Sequence, residues 1–204
     1  MFLIRYDHMG AAAIGRVIIQ EIAMSRLTVP TREAAPAGSQ PLLDGVHKQL
    51  GSVPNLFRLI GLSPAALEGF LGLNGALAHS LDARTRERIA IAVAQANGCD
   101  YCLSAHSYIA LNLVKLGEDE IALARKGAST DAKAEAALRF SRRVLETRGR
   151  VAEADLAAVR SAGYSEAQVV EIVAVIASNI FTNYLGNIAE TEIDFPVIRS
   201  SQAA

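Results

Sequence analysis

At 204 residues the chain can bury one ordinary core, and its apolar share of 51%, with 5% aromatic and no Trp, favours closely packed helices over an all-β fold. A formal charge of -1, an isoelectric point near 6.4 and the absence of any Lys/Arg block exclude the basic field that a phosphate backbone requires, and so exclude nucleic acid as a partner. Two cysteines are too few for a disulfide framework and need another explanation.

In chain order, the apolar stretch Ala11 to Ile22 is interrupted by Arg16, Gln20 and Glu21, and no small-residue cleavage site follows it. It reads as neither signal peptide nor membrane span, so the expected compartment is the cytoplasm, with no membrane partner. Met24 opens a more ordinary beginning, and residues 1–23 are set aside as an upstream or appended segment. Residues 24–40, rich in Pro, Ala, Thr, Gly and Ser, predict an extended arm lying on the surface or on a neighbouring subunit.

Regular punctuation follows. Helices are predicted over 41–50, stopped by Gly51, and over 54–60, stopped by Gly61. Ser63-Pro64 is an N-cap with proline at the first helical position, and Asp82 caps a helix carrying Ile89, Ala92, Val93 and Ala96 on one face. Asn97-Gly98 ends that helix, and the next is expected from Asp100 to Leu116 with Gly117 as its terminator. Further helices are expected over 119–125, 131–148 and 153–161. Ser165 and Gln168 form a capping box for a final helix, apolar on nearly every face from Val169 to Ile180 and thus central or buried between subunits. A faint likeness between residues 87–97 and 171–179 pairs Glu87 with Glu171. The fold class is all-α, one helical domain over 41–196 with a tail at 197–204.

The chemistry concentrates in "ERIAIAVAQANGCDYCLSAH", residues 87–106. Cys102 and His106 are four apart and share a helix face, while Cys99 sits one turn earlier. A thiol is nucleophilic as the thiolate, which a helix N-terminus and a nearby imidazole both favour, and on spacing alone Cys102 has both aids. Two cysteines spaced this way on a first turn are within bridging range, a redox switch rather than a staple. The alternatives are inert core thiols, or a zinc site for which Cys99, Cys102 and His106 supply three of the four ligands that a closed site requires. Glu87 is either a proton carrier folded back towards the pair or a solvated first-turn acid. Tyr101 and Tyr108 read as packing or pocket walls.

Glu87, Cys99, and then Tyr101-Cys102 followed by Ala105-His106 resemble the signature of the alkylhydroperoxidase D and carboxymuconolactone decarboxylase family. "GSVPNLFRLIGLSP" (51–64) and "NIFTNYLGNIAETEIDFP" (179–196) are similar to the flanks of its peroxidase-related branch. The resemblance implies an all-helical fold, a homo-oligomer, and reduction of hydroperoxides with electrons from a dithiol reductant protein, without cofactor or metal. It makes Cys102 the peroxidatic cysteine, Cys99 the resolving one, His106 the base and Glu87 the proton-relay carboxylate. Two positions depart from it: Tyr101 stands where peroxidases of the family carry a second histidine, and Asn187 stands in a stretch where an Asn-His pair is expected. His47 and His79 remain as unassigned histidines.

The activity so implied is a thiol peroxidase for organic hydroperoxides. A lactone decarboxylase of the same fold would not need the cysteine pair. A redox sensor or disulfide-exchange adaptor would need the same activated thiol without turning over peroxide.

Overall fold

The computed structural model describes residues 25–202, so the segment 1–23 set aside above lies outside the described residues. Within them the chain forms nine α-helices and no strand: α1 (Gln40–Leu50), α2 (Asn55–Ile60), α3 (Pro64–Leu77), α4 (Ala83–Ala96), α5 (Asp100–Asn112), α6 (Glu118–Arg125), α7 (Ala132–Thr147), α8 (Glu153–Ser161) and α9 (Glu166–Ala189). The fold is all-α. The helix starts follow from side chains that satisfy otherwise orphaned amides. Ser63 accepts from the Ala66 N–H, Asp82 from the Thr85 N–H, and Ser165 exchanges reciprocal bonds with Gln168.

Helix α4 is the axis of the molecule. Its Ile91 and Ala94 join a core with Leu43, Leu59, Leu67 and Leu103, while Ile89 and Val93 face a second core with Leu138, Val159, Ile172 and Ile176. A helix with two apolar faces has to be covered on both sides, by α5 on one and by α7 and α9 on the other. Helix α9 is long and apolar enough to cross a membrane by length and composition, but Val169, Ile172, Val175 and Ile176 are core residues here. Its opposite face leaves Val170, Val173, Phe181, Tyr184 and Ile188 exposed.

One boundary differs from the expected one. Helix α5 stops at Asn112 rather than Leu116, and Gly117, taken as its terminator, is instead the N-cap of α6. The cause is Leu116, which must reach the core and is 3% exposed. The chain therefore unwinds early, passes Lys115 at φ 59°, and returns the Leu116 N–H to the Ala110 carbonyl.

Both chain ends lie against the helices. The arm hydrogen-bonds to the end of α9, from the Arg26 N–H to the Ala189 carbonyl. After α9, the strap 191–196 crosses to α2 and α5, and the tail closes on α5, where the Ile198 N–H donates to Ser104 Oγ at 2.9 Å.

Candidate active site

Gly98 makes the site possible. At φ 62° it takes a backbone conformation that side chains resist, and it lets the Cys99 N–H reach the Ala94 carbonyl, turning α5 back along α4. The turn brings Glu87, one helix earlier, against His106: His106 Nδ1 lies 2.9 Å from Glu87 Oε2. Of the two readings left open for Glu87, the solvated acid is thus not the one realised.

Cys99 is the N-cap of α5, and its Sγ accepts the Cys102 amide N–H at 3.3 Å. Both cysteines are free and buried. Helix α9 backs the pair: a Cβ placed on Gly186 would meet Cys99 Sγ at 3.3 Å, so the close approach depends on the missing side chain. In front of the pair a cavity of about 1040 Å³ is lined by Cys102, His106, Glu87, Asn179 and Thr182, with Leu56, Phe57, Phe70 and Phe195 as apolar walls. Cys99 does not line it. His79 does and His47 does not.

The electrostatics divide the two sulfurs. Cys99 is lowered below the ordinary thiol value by a hydrogen bond from the Cys102 thiol, assisted by the Cys102 amide and by His106. Cys102 is raised well above it, by that same bond to Cys99 and by burial. Of the two thiols, Cys99 is therefore the more readily ionised. Sequence spacing assigned the helix terminus to Cys102. The folded chain gives it to Cys99, because only a capping side chain can reach back to the first-turn amide. Burial opposes charge on His106, but the Glu87 carboxylate outweighs it and holds the imidazole above its ordinary value.

Tyr101, at the position of the expected second histidine, faces the strap. Its hydroxyl donates to Asp194 Oδ1 at 2.8 Å and accepts from the Leu56 N–H at 3.1 Å, while Asp194 Oδ2 accepts from the Asn55 N–H at 2.8 Å. Burial, the largest influence, pushes the phenol far above its usual range, so it stays protonated. Asn187 donates to the Asn97 carbonyl at 3.0 Å and braces the α4–α5 turn rather than lining the cavity. Among the described residues no group of three His, Cys, Asp or Glu is placed to hold a metal ion.

Helix α9, expected from its apolar character to serve only as core or subunit interface, also lines the site. Asn179 and Thr182 line the cavity with Cys102 and His106, Asn179 helps hold the imidazole up, and Thr182 and Asn183 favour the ionised Cys102 sulfur. A signal was available: Ser178, Asn179, Thr182 and Asn183 form a polar stripe at helical spacing in an otherwise apolar helix, and Gly186 continues it.

Residues 64–147 match the carboxymuconolactone decarboxylase family, a stretch from α3 to α7 that contains Glu87, Cys99, Cys102 and His106. No curated protein matches the chain by sequence. The alkylhydroperoxidase AhpD core of a peroxidase-related protein from Ralstonia eutropha JMP134 is 28% identical over 84% of this chain and 93% of its own, with a TM-score of 0.74. The debrominase Bmp8 is 25% identical over 81% of this chain and 90% of its own, with a TM-score of 0.68. An uncharacterized peroxidase-related protein from Silicibacter sp. TM1040 shares the fold at 21% identity, covering 92% of this chain and 100% of its own, with a TM-score of 0.72.

Proposed function

We propose, from the match of residues 64–147 to the carboxymuconolactone decarboxylase family and the likeness to an alkylhydroperoxidase core, that this chain is a thiol peroxidase reducing organic hydroperoxides. The observation that carries the reading is the layering of the two sulfurs: Cys102 lines an apolar cavity, and Cys99 sits behind it as the cap of α5, where its ionisation is favoured. Access decides which sulfur attacks. Charge decides where its proton goes.

As Cys102 attacks the terminal oxygen of the hydroperoxide, its proton passes to the Cys99 thiolate. The O–O bond breaks, Cys102 becomes the sulfenic acid, and the alkoxide takes a proton from the His106 imidazolium that Glu87 sustains. Cys99 then attacks the Cys102 sulfur, its proton leaves with the sulfenic hydroxyl as water, and the disulfide closes. Two electrons have moved from the sulfurs to the peroxide, leaving alcohol, water and a neutral imidazole. A dithiol reductant protein restores the thiols. The apolar walls favour an organic hydroperoxide over a charged one.

The exposed apolar stripe of α9, from Val170 to Ile188, supports assembly into a homo-oligomer, which light scattering on the purified chain measures. For the activity, reduced protein is mixed with one equivalent of cumene hydroperoxide and free thiols are counted. Loss of two thiols per chain with release of the alcohol is expected; retention of both, or turnover that survives Cys102→Ser, overturns the reading. The debrominase Bmp8 has been solved with 2,3,4-tribromopyrrole, and faster consumption of that compound than of any hydroperoxide would instead align the chain with the debrominase.

A further inference from the structure

We propose that Asn183, seconded by Thr182, is the anion-stabilising group of the site: its side-chain amide is the donor that receives negative charge on Cys102, the sulfur facing the cavity. The inference rests on the reading of Cys102 as the attacking sulfur. Its basis is the packing of α9 over the start of α5. A Cβ on Gly186 would press on Cys99, and Asn183 and Thr182 lie three and four residues before it, on the same helix face, with Thr182 lining the cavity.

Asn183 is fully buried. Its Oδ1 accepts from Asn97 Nδ2 at 2.9 Å, which fixes the amide and leaves Nδ2 pointing away from that bond. That Nδ2 is buried and has no regular hydrogen-bond partner among the described residues. A buried donor without an acceptor is costly and rare, and at functional sites it is retained for a species that the resting state lacks. A sulfur that becomes charged and then carries an oxygen is such a species, and it forms within reach. Thr182, whose hydroxyl donates to the Asn179 carbonyl at 3.0 Å at rest, also lines the cavity and can turn to the same sulfur. Against the upward pull of Cys99 and of burial on the Cys102 thiol, both Asn183 and Thr182 pull it down.

Cys99 competes with Cys102 for ionisation, so the test removes it. In Cys99→Ser protein, where the serine oxygen retains the capping role, Cys102 is the one remaining thiol, and the ultraviolet absorbance of its thiolate is titrated with and without Asn183→Leu. The titration midpoint is expected to rise by about one to two pH units, the size of a lost hydrogen bond to a charged group. Asn183→Asp, of the same volume and still able to accept from Asn97, keeps the test alive where the leucine variant fails to fold, and its own charge raises the midpoint at least as far. Folded variants with an unchanged midpoint overturn the inference. Failure of the parent protein to consume hydroperoxide would instead sink the peroxidase reading while leaving the titration result intact.

Discussion

Glu87 on α4 and His106 on α5 stand nineteen residues apart in sequence and 2.9 Å apart in space, so the protonation of the imidazole is governed from a different helix. Burial lowers the imidazole and the carboxylate more than restores it. Glu87→Gln removes the restoring charge, and the His106 titration followed by ring-proton NMR is expected to move to lower pH. Hydroperoxide consumption should fall about a hundredfold or more, with its loss at rising pH setting in earlier. The stability sign is the same: a raised histidine stabilises the fold fully below its unfolded value of about 6.5 and ceases to as pH rises through the folded value. The variant loses that dependence.

Tyr101→Phe removes the hydroxyl that joins α5, α2 and the strap. It leaves the Leu56 N–H without its acceptor and Asp194 Oδ1 without its donor, while Oδ2 keeps the Asn55 N–H. Denaturant unfolding is expected to show a loss of about 1–3 kcal/mol, the cost of stranding a buried polar group. Hydrogen exchange should show earlier opening of residues 191–196.

The second structural anchor is Arg88 with Glu120, both side chains largely buried, at 2.9 Å. Burial by itself would raise Glu120, but hydrogen bonds from Thr130, Ser129 and Arg88 bring it down to about 2. Its contribution is therefore present above its unfolded value near 4.5 and is lost as pH falls from there towards 2. Glu120→Ala strands a buried guanidinium and should cost about 3–5 kcal/mol at neutral pH. The gap between variant and parent in denaturant midpoints should narrow when both are measured near pH 3.

Gly186→Val places branched carbon where a single Cβ already sits 3.3 Å from Cys99 Sγ. Overpacking of this kind costs about 1–3 kcal/mol, read by thermal unfolding. The folded fraction should also oxidise abnormally, because the rear sulfur has to shift. A variant as stable as the parent, with ordinary two-thiol oxidation, contradicts the close packing of α9 on the pair.

Much of this was readable locally. The caps at Ser63, Asp82 and Ser165, the glycine stops, and the juxtaposition of Cys99, Cys102 and His106 depend on residues within a turn or two of one another, which spacing encodes. Glu87 was recoverable because a short Asn97-Gly98 turn folds its helix back. The role of α9 was not, since Asn183 meets Asn97, beside the cysteine turn, across eighty-six residues, and an apolar helix advertises packing before chemistry. The Tyr101–Asp194 link, ninety-three residues apart, is invisible for the same reason. The early end of α5 was hidden too, because a demand from the core at Leu116, rather than a local breaker, unwinds it.

Asp100 is the nearest neighbour of the rear sulfur in the chain, and its negative charge disfavours ionisation there. The last residues occupy it: Ser200 donates to Oδ1 through both backbone and hydroxyl, and Arg199 pairs with Oδ2 at 3.1 Å. The carboxyl-terminal stretch thus acts as a counterweight on the electrochemistry of the thiols. Trimming it, or fusing a tag that pulls it off, would unmask a carboxylate beside Cys99 and make the thiol harder to ionise, although no catalytic group had been touched.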